Sequence, residues 1–193
     1  MKKRMPIEKP DNYLTVQPKL GKQIEWRMNA TLKFLAGHTL KAPYLDVGTW
    51  SQATDILQQK YSDKIDSTNE TDFNFSVTAP QKSYKSIFCF EVIEHLMNPL
   101  TFMHELHKLL DEDGILALST PTRKLAVEKV HFTEYNKRSL DFLFKEAGFT
   151  TLDYKVGHAF PWWWHFTGVR PMYRMFFHHY HFYLLTKKEQ PRN

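Results

Sequence analysis

Short apolar runs alternate with stretches of helical spacing along most of this chain, and that alternation limits the folds open to it more than any other feature. Lys19 to Leu35 carries Leu20, Ile24, Met28, Leu32 and Leu35 at intervals of four, four, four and three, which is one face of a helix that Gly37 would end. Pro43 to Gly48 reads as a short buried strand running into a turn, and Ala53 to Tyr61 as the helix that follows. Tyr84 to Phe90 is a second buried strand, Pro99 to Leu110 a helix with Phe102, Met103 and Leu106 inward, and Gly114 to Ser119 a third strand. Strand, helix, strand in that order implies an α/β fold, a mostly parallel sheet with helices on both faces. Ser139 to Ala147 adds a helix that Gly148 terminates, and Thr150 to Val156 a strand. His181 to Thr186 is expected to pair antiparallel with that strand across a long excursion, Gly157 to Tyr180.

With 193 residues, 42% of them hydrophobic, the chain can bury one substantial core, so the simplest division is a single domain over 1–193. Within it, about 1–40 forms a helical region and about 157–180 an aromatic, lid-like segment containing Trp162, Trp163, Trp164 and Phe166. An aromatic and basic lid suits a flat or lipophilic small-molecule acceptor, although a membrane-surface or dimer contact would use the same residue types. No run approaches the roughly 18–20 apolar residues of a membrane span, and MKKRMPIEKPDNY lacks the apolar stretch of a signal peptide, so the expected location is cytoplasmic. The one cysteine, Cys89, sits inside the apolar run SIFCF and reads as a buried thiol rather than a nucleophile. The net charge of +5 is scattered rather than gathered in a stripe, so nucleic acid is permitted but not indicated as a partner.

Ligands of an open parallel sheet bind outside the carboxyl ends of its strands, which directs attention to the residues just after each one. These are Gly48, Thr49, Trp50 and Ser51 after the first strand, Asp66 within Lys64 to Thr68, Asp72 beside Phe73 and Asn74, and Glu91, Glu94 and His95 after Phe90. In FEVIEHLMNP, spacings of three and four would place Glu91, Glu94 and His95 on one side of a helical turn. Such a cluster serves either as a ligand site or as a capped, solvated helix start.

LDVG at Leu45 to Gly48, IFCFEVIEHLMNPL, ELHKLLDEDGILALSTP and HFTEYNKRSLDFLFKEAGF, in that order, resemble the class I S-adenosylmethionine-dependent methyltransferases over about Leu45 to Phe149. The resemblance implies a Rossmann-like sheet and S-adenosylmethionine as cofactor. Asp46 and Gly48 would then shape the methionine end of the pocket, with Thr49 and Phe90 also binding the cofactor. Asp66 would accept from the ribose hydroxyls, and Asp72 with Phe73 would face the adenine, whereas an ordinary role in a polar loop would make Asp66 and Asp72 turn formers. FEVIEH further resembles the segment with which ubiquinone-pathway O-methyltransferases and small-RNA 3′-terminal ribose methyltransferases hold a divalent metal. That likeness implies Glu91, Glu94, His95 and His131 as metal ligands, His131 standing before Phe132, Glu134 and Tyr135. Carboxylate with imidazole suits manganese, iron or zinc better than magnesium.

The chain departs from the family at three points. GTWSQAT replaces the glycine-rich loop, leaving only Gly48 and putting Trp50 where backbone approach to the cofactor is expected; the span from Gly48 to Phe90 is short, so the fold is contracted between its second and fourth strands; and Lys85 stands where an aspartate is common. The expected activity is transfer of a methyl group to a small or medium acceptor, at oxygen, with His95 or His131 as base. The alternatives are a non-catalytic cofactor-binding module, and an RNA ribose methyltransferase using Arg123, Arg170 and Arg174.

Overall fold

The computed structural model describes residues 21–48, 51–68, 72–81, 83–122, 131–158, 160–169 and 179–187. Six strands form one sheet: β1 (Tyr44–Asp46), β2 (Ile65–Ser67), β3 (Tyr84–Phe90), β4 (Leu110–Pro121), β5 (Phe149–Gly157) and β6 (Tyr180–Lys187). Their spatial order is β2-β1-β3-β4-β6-β5. The first four run parallel, whereas β6 is antiparallel to both β4 and β5. This is the class I, Rossmann-like arrangement. The chain steps one way from β1 to β2 and the other way to β3, so the sheet's topological switch point, where crevices form, lies between β1 and β3.

Among the described residues, four helices cover the faces: α1 (Gly21–Leu35), α2 (Gln52–Tyr61), α3 (Pro99–Leu109) and α4 (Lys137–Glu146). Met28, Phe34 and Leu35 of α1 and Leu57 of α2 pack with Tyr44, Phe88 and Leu184 on one face. On the other, Phe102, Met103 and Leu106 of α3 and Leu140 and Phe144 of α4 pack with Leu45, Ile87, Cys89 and Leu118. At roughly 1.5–3 kcal/mol per fully buried large apolar side chain, these two layers are the main drive for assembly. Cys89 is fully buried, and burial pushes its thiol pKa up, as a packing role requires.

Local signals set the element ends. Ser51 caps α2 in a reciprocal box: its Oγ accepts from Ala53 N at 3.2 Å while Thr54 Oγ1 accepts from Ser51 N at 3.0 Å. Asn98 caps α3, with proline following it, and Asn136 caps α4 by accepting from Ser139 N at 2.9 Å. The sequence reading starts α4 at Ser139; the Asn136 cap moves the start back to Lys137. β4 likewise begins at Leu110 rather than Gly114, because α3 runs straight into it and Leu110 pairs with Tyr84. Among the described residues between Ser67 and Tyr84 there is a turn but no strand or helix, which is the expected contraction.

Candidate active site

The rim at β1 is built from a buried carboxylate and a glycine turn. Asp46, last in β1, accepts from the Thr54 hydroxyl at 2.5 Å. Burial raises its pKa from the ordinary 3.8 to about 6, although the Thr54 hydrogen bond pulls it back. Gly48 follows at φ +144, where a side chain would be strained, and a Cβ added there would meet no atom within 4 Å. Among the described residues, nothing therefore fills the space over this turn. Thr68, just past β2, holds the turn in place: its hydroxyl accepts from Gly48 N at 2.9 Å and donates to Gly48 O at 3.1 Å. Thr49 and Trp50 lie outside the described residues.

Beyond β3 the backbone turns sharply. Glu91 adopts φ +56, in the left-handed region that costs a non-glycine residue about 1 kcal/mol, and its N–H is held by Ser119 O at 2.8 Å. Its carboxylate pairs with Arg27 of α1. The next residues coil into a 3₁₀ turn, Ile93–His95, which buries Glu94 and leaves His95 exposed. Glu94 Oε2 accepts from Thr120 of β4 at 2.9 Å, and its backbone carbonyl accepts from Phe132 N at 2.8 Å and Thr133 N at 3.2 Å. Those backbone bonds draw His131 in from far along the chain. The His95 and His131 rings meet edge to face with centroids 4.9 Å apart, and Glu134 Oε1 lies 3.5 Å from His131 Nδ1.

Glu94, His95 and His131 bring one potential ligand atom each within 4.8 Å of one another. One carboxylate and two imidazoles fit manganese, iron or zinc. Glu91, expected in the same set, is instead turned toward Arg27, because its left-handed backbone aims the side chain at α1.

Three cofactor residues expected from the sequence already have partners within the fold. Asp66 is buried in the middle of β2, where Oδ2 accepts from Gln81 Nε2 at 2.8 Å and Tyr84 OH at 3.1 Å, and Lys64 Nζ lies 3.3 Å from Oδ1. Asp72 closes its own turn by accepting from Asn74 N at 3.0 Å and Nδ2 at 2.8 Å. Phe73 packs on Phe102 of α3, centroids 5.5 Å apart. Asn74 Oδ1 ties this turn to the rim by accepting from Met97 N at 2.7 Å. The ribose and adenine duties expected of Asp66, Asp72 and Phe73 thus meet side chains already engaged in turn or core.

A cavity of about 320 Å³ opens where the rims of β1 and β3 meet. Ile24, Met28, Ala53 and Phe90 form its apolar wall, and Arg27, Ser51, Glu91 and His95 its polar points. A larger depression of about 570 Å³ runs past Asp55, Gln58, Asp63 and Lys64, residues of α2 and the entry to β2. It lies away from the carboxyl ends of the strands, so the smaller cavity is the candidate site. Arg27, Thr54, Thr68 and Thr120 are the site residues that the sequence reading misses. Arg27 was legible in principle, since it stands three residues after Ile24 on the buried side of α1; the threonines look like any strand or helix residue.

The aromatic segment divides. Phe160 is buried and stacks on Trp164 at 4.5 Å, and Trp26 of α1 meets Phe160 and Trp163 edge-on. Trp162 and Phe166 are exposed. Arg123, Arg170 and Arg174 lie outside the described residues. No helix among the described residues is long and apolar enough to cross a membrane.

Residues 21–154 match the family model described as a methyltransferase domain. No curated protein matches the chain. Among solved structures, it resembles Burkholderia thailandensis 1,6-didemethyltoxoflavin-N1-methyltransferase with bound 1,6-didemethyltoxoflavin and S-adenosylhomocysteine. The TM-score is 0.62 at 14% identity, over 96% of this chain and 93% of that one. It also resembles the [4+2]-cyclase SpnF, with TM-score 0.59 at 16% identity over 84% and 82%. The protein bound by the Haloferax volcanii Trm112 methyltransferase activator gives 0.62 at 13% over 94% and 99%. At these identities the likeness speaks for the fold.

Proposed function

The chain belongs to the methyltransferase-domain family, and we propose that it transfers a methyl group from S-adenosylmethionine to an oxygen of a small acceptor bound in the cavity between β1 and β3. The observation that carries this reading is that one cavity is lined both by Ser51 and Ala53, which follow the Gly48 turn, and by Phe90, Glu91 and His95 beyond β3. A donor on the first rim and an acceptor at the second would face each other across it, and in such a transfer positioning supplies most of the acceleration.

Each residue then has a defined task. The Gly48 backbone, braced by Thr68 and backed by Asp46, receives the methionine end, and Phe90 contributes an apolar wall. His95, or His131 beside Glu134, takes the hydroxyl proton as the acceptor oxygen attacks. Glu94, held by Thr120, stands beside both rings and stabilises the charge they gain. Were a divalent metal held by Glu94, His95 and His131, these side chains would be its ligands rather than bases, and the metal would lower the pKa of the acceptor hydroxyl. The methyl donor itself supplies an electrophilic carbon that needs no covalent intermediate with the protein.

One observation favours a second reading, a module that holds the cofactor weakly or not at all. The Asp66 carboxylate is sequestered by Gln81, Tyr84 and Lys64, so a ribose diol would have to displace them. Calorimetric titration with S-adenosylhomocysteine separates the two: micromolar binding is expected for the enzyme, and no heat at millimolar ligand would leave only the module. Release of labelled methyl product, lost in a His95→Ala, His131→Ala double variant, would then establish transfer.

A further inference from the structure

Among the described residues, Arg27 is the one lysine or arginine lining the candidate cavity, and methyl transfer itself gives it no task. We propose that Arg27 selects the acceptor by pairing with an anionic group on it, a carboxylate or a phosphate, and that Glu91 holds the place of that group. The inference rests on the cavity being the acceptor site of a methyltransferase.

Three features of the structure support it. First, the Arg27 side chain is only 30% exposed, so a charge-assisted pair formed there is less screened than one on open surface. Its neighbours Ile24, Met28 and Phe90 are apolar or aromatic, which suits a molecule with a flat or aliphatic body and one charged end. Secondly, Glu91 already presents a carboxylate to the guanidinium, and does so from a left-handed backbone that is unfavourable for glutamate. Three and four residues before Glu94 and His95, it lies at the edge of the ligand cluster and can yield Arg27 to another anion without leaving the cavity. Thirdly, Tyr180 interacts with the guanidinium besides Glu91, so Glu91 is not its sole neighbour.

The test titrates a set of hydroxybenzoates, the matching hydroxyphenyl phosphates and the neutral hydroxybenzamides of the same shape into the protein with S-adenosylhomocysteine present, followed by calorimetry. At least one anionic series is expected to bind about tenfold more tightly than its amides, the worth of one charge-assisted pair; whichever series does so identifies carboxylate or phosphate. Arg27→Met removes the preference, Arg27→Lys restores part of it, and Glu91→Gln strengthens it. The proposal is overturned if no anionic probe outbinds its amide, or if the preference survives Arg27→Met. Should Arg27→Met not fold, Glu91→Gln decides, and unchanged or weaker anion binding there overturns it. S-adenosylhomocysteine titrations of the same proteins keep the two readings apart. Wild type that fails to bind it defeats the methyltransferase reading, whereas wild type that binds it without an anion preference defeats the role of Arg27 alone.

Discussion

Asp46 shows how one residue can serve the site at the expense of the fold. Because its pKa in the native protein, about 6, exceeds the ordinary 3.8, folding favours its neutral form. Above pH 6 it is charged in both states, and its burial costs on the order of 2–3 kcal/mol. As pH falls from 6 toward 4 the native state takes up the proton first and the cost is relieved; below that the group is neutral in both states. Asp46→Asn, which keeps an acceptor for Thr54, is therefore expected to be more stable than the parent by about that amount at pH 8, with the difference vanishing near pH 4. Urea melts at the two pH values check this, and a gain of equal size at both would contradict it. At the second rim, Glu94→Gln removes the anionic member of the triad. If the triad holds manganese or zinc, metal retained after dialysis should fall from about one per protein to near zero; retention equal to that of the parent would exclude Glu94 as a ligand. Asp46, Gly48, Glu94 and His95 stand out in the sequence because each lies in a short motif whose geometry is local, whereas His131 is expected only from the family resemblance, since long-range backbone bonds bring it to Glu94. The sequence misplaces Glu91 and Asp72, whose side chains obey a left-handed backbone and a self-closed turn, and Phe73, which Phe102 draws into the core.

Elements whose apolar pattern is regular were legible to within a residue or two: β3 runs from Tyr84 to Phe90 as its sequence suggests, and α3 ends one residue early at Leu109. β2 was not recognised as a strand, because Ile65-Asp66-Ser67 has a single apolar residue and is fixed only by its register with Tyr44, Leu45 and Asp46. The α2 cap links this scale to the site, since Ser51 both starts the helix and lines the cavity. Ser51→Ala should cost about 1 kcal/mol, a drop of roughly 2–4 °C in Tm for a protein of this size. A calorimetric scan measures it, and an unchanged Tm would mean that Thr54 and the helix dipole suffice at that end.

Over the whole molecule, the two apolar layers on either side of the sheet are built from the chain's own side chains, so the fold should form before the cofactor binds. S-adenosylhomocysteine at 100 times its Kd should then add about 2.7 kcal/mol and raise Tm by roughly 5–10 °C; no shift at millimolar ligand would support the weak-binding module. The position of β6 carries a different consequence. Although it comes last of the six in the chain, it lies inside the sheet and gives β5 its hydrogen-bonded partner in the ladder. During synthesis β5 must therefore wait, its edge unsatisfied, until residues 180–187 have left the ribosome. A stop codon before them would not trim the sheet's margin; it would take out an inner stave and leave both neighbours open to strands from other molecules.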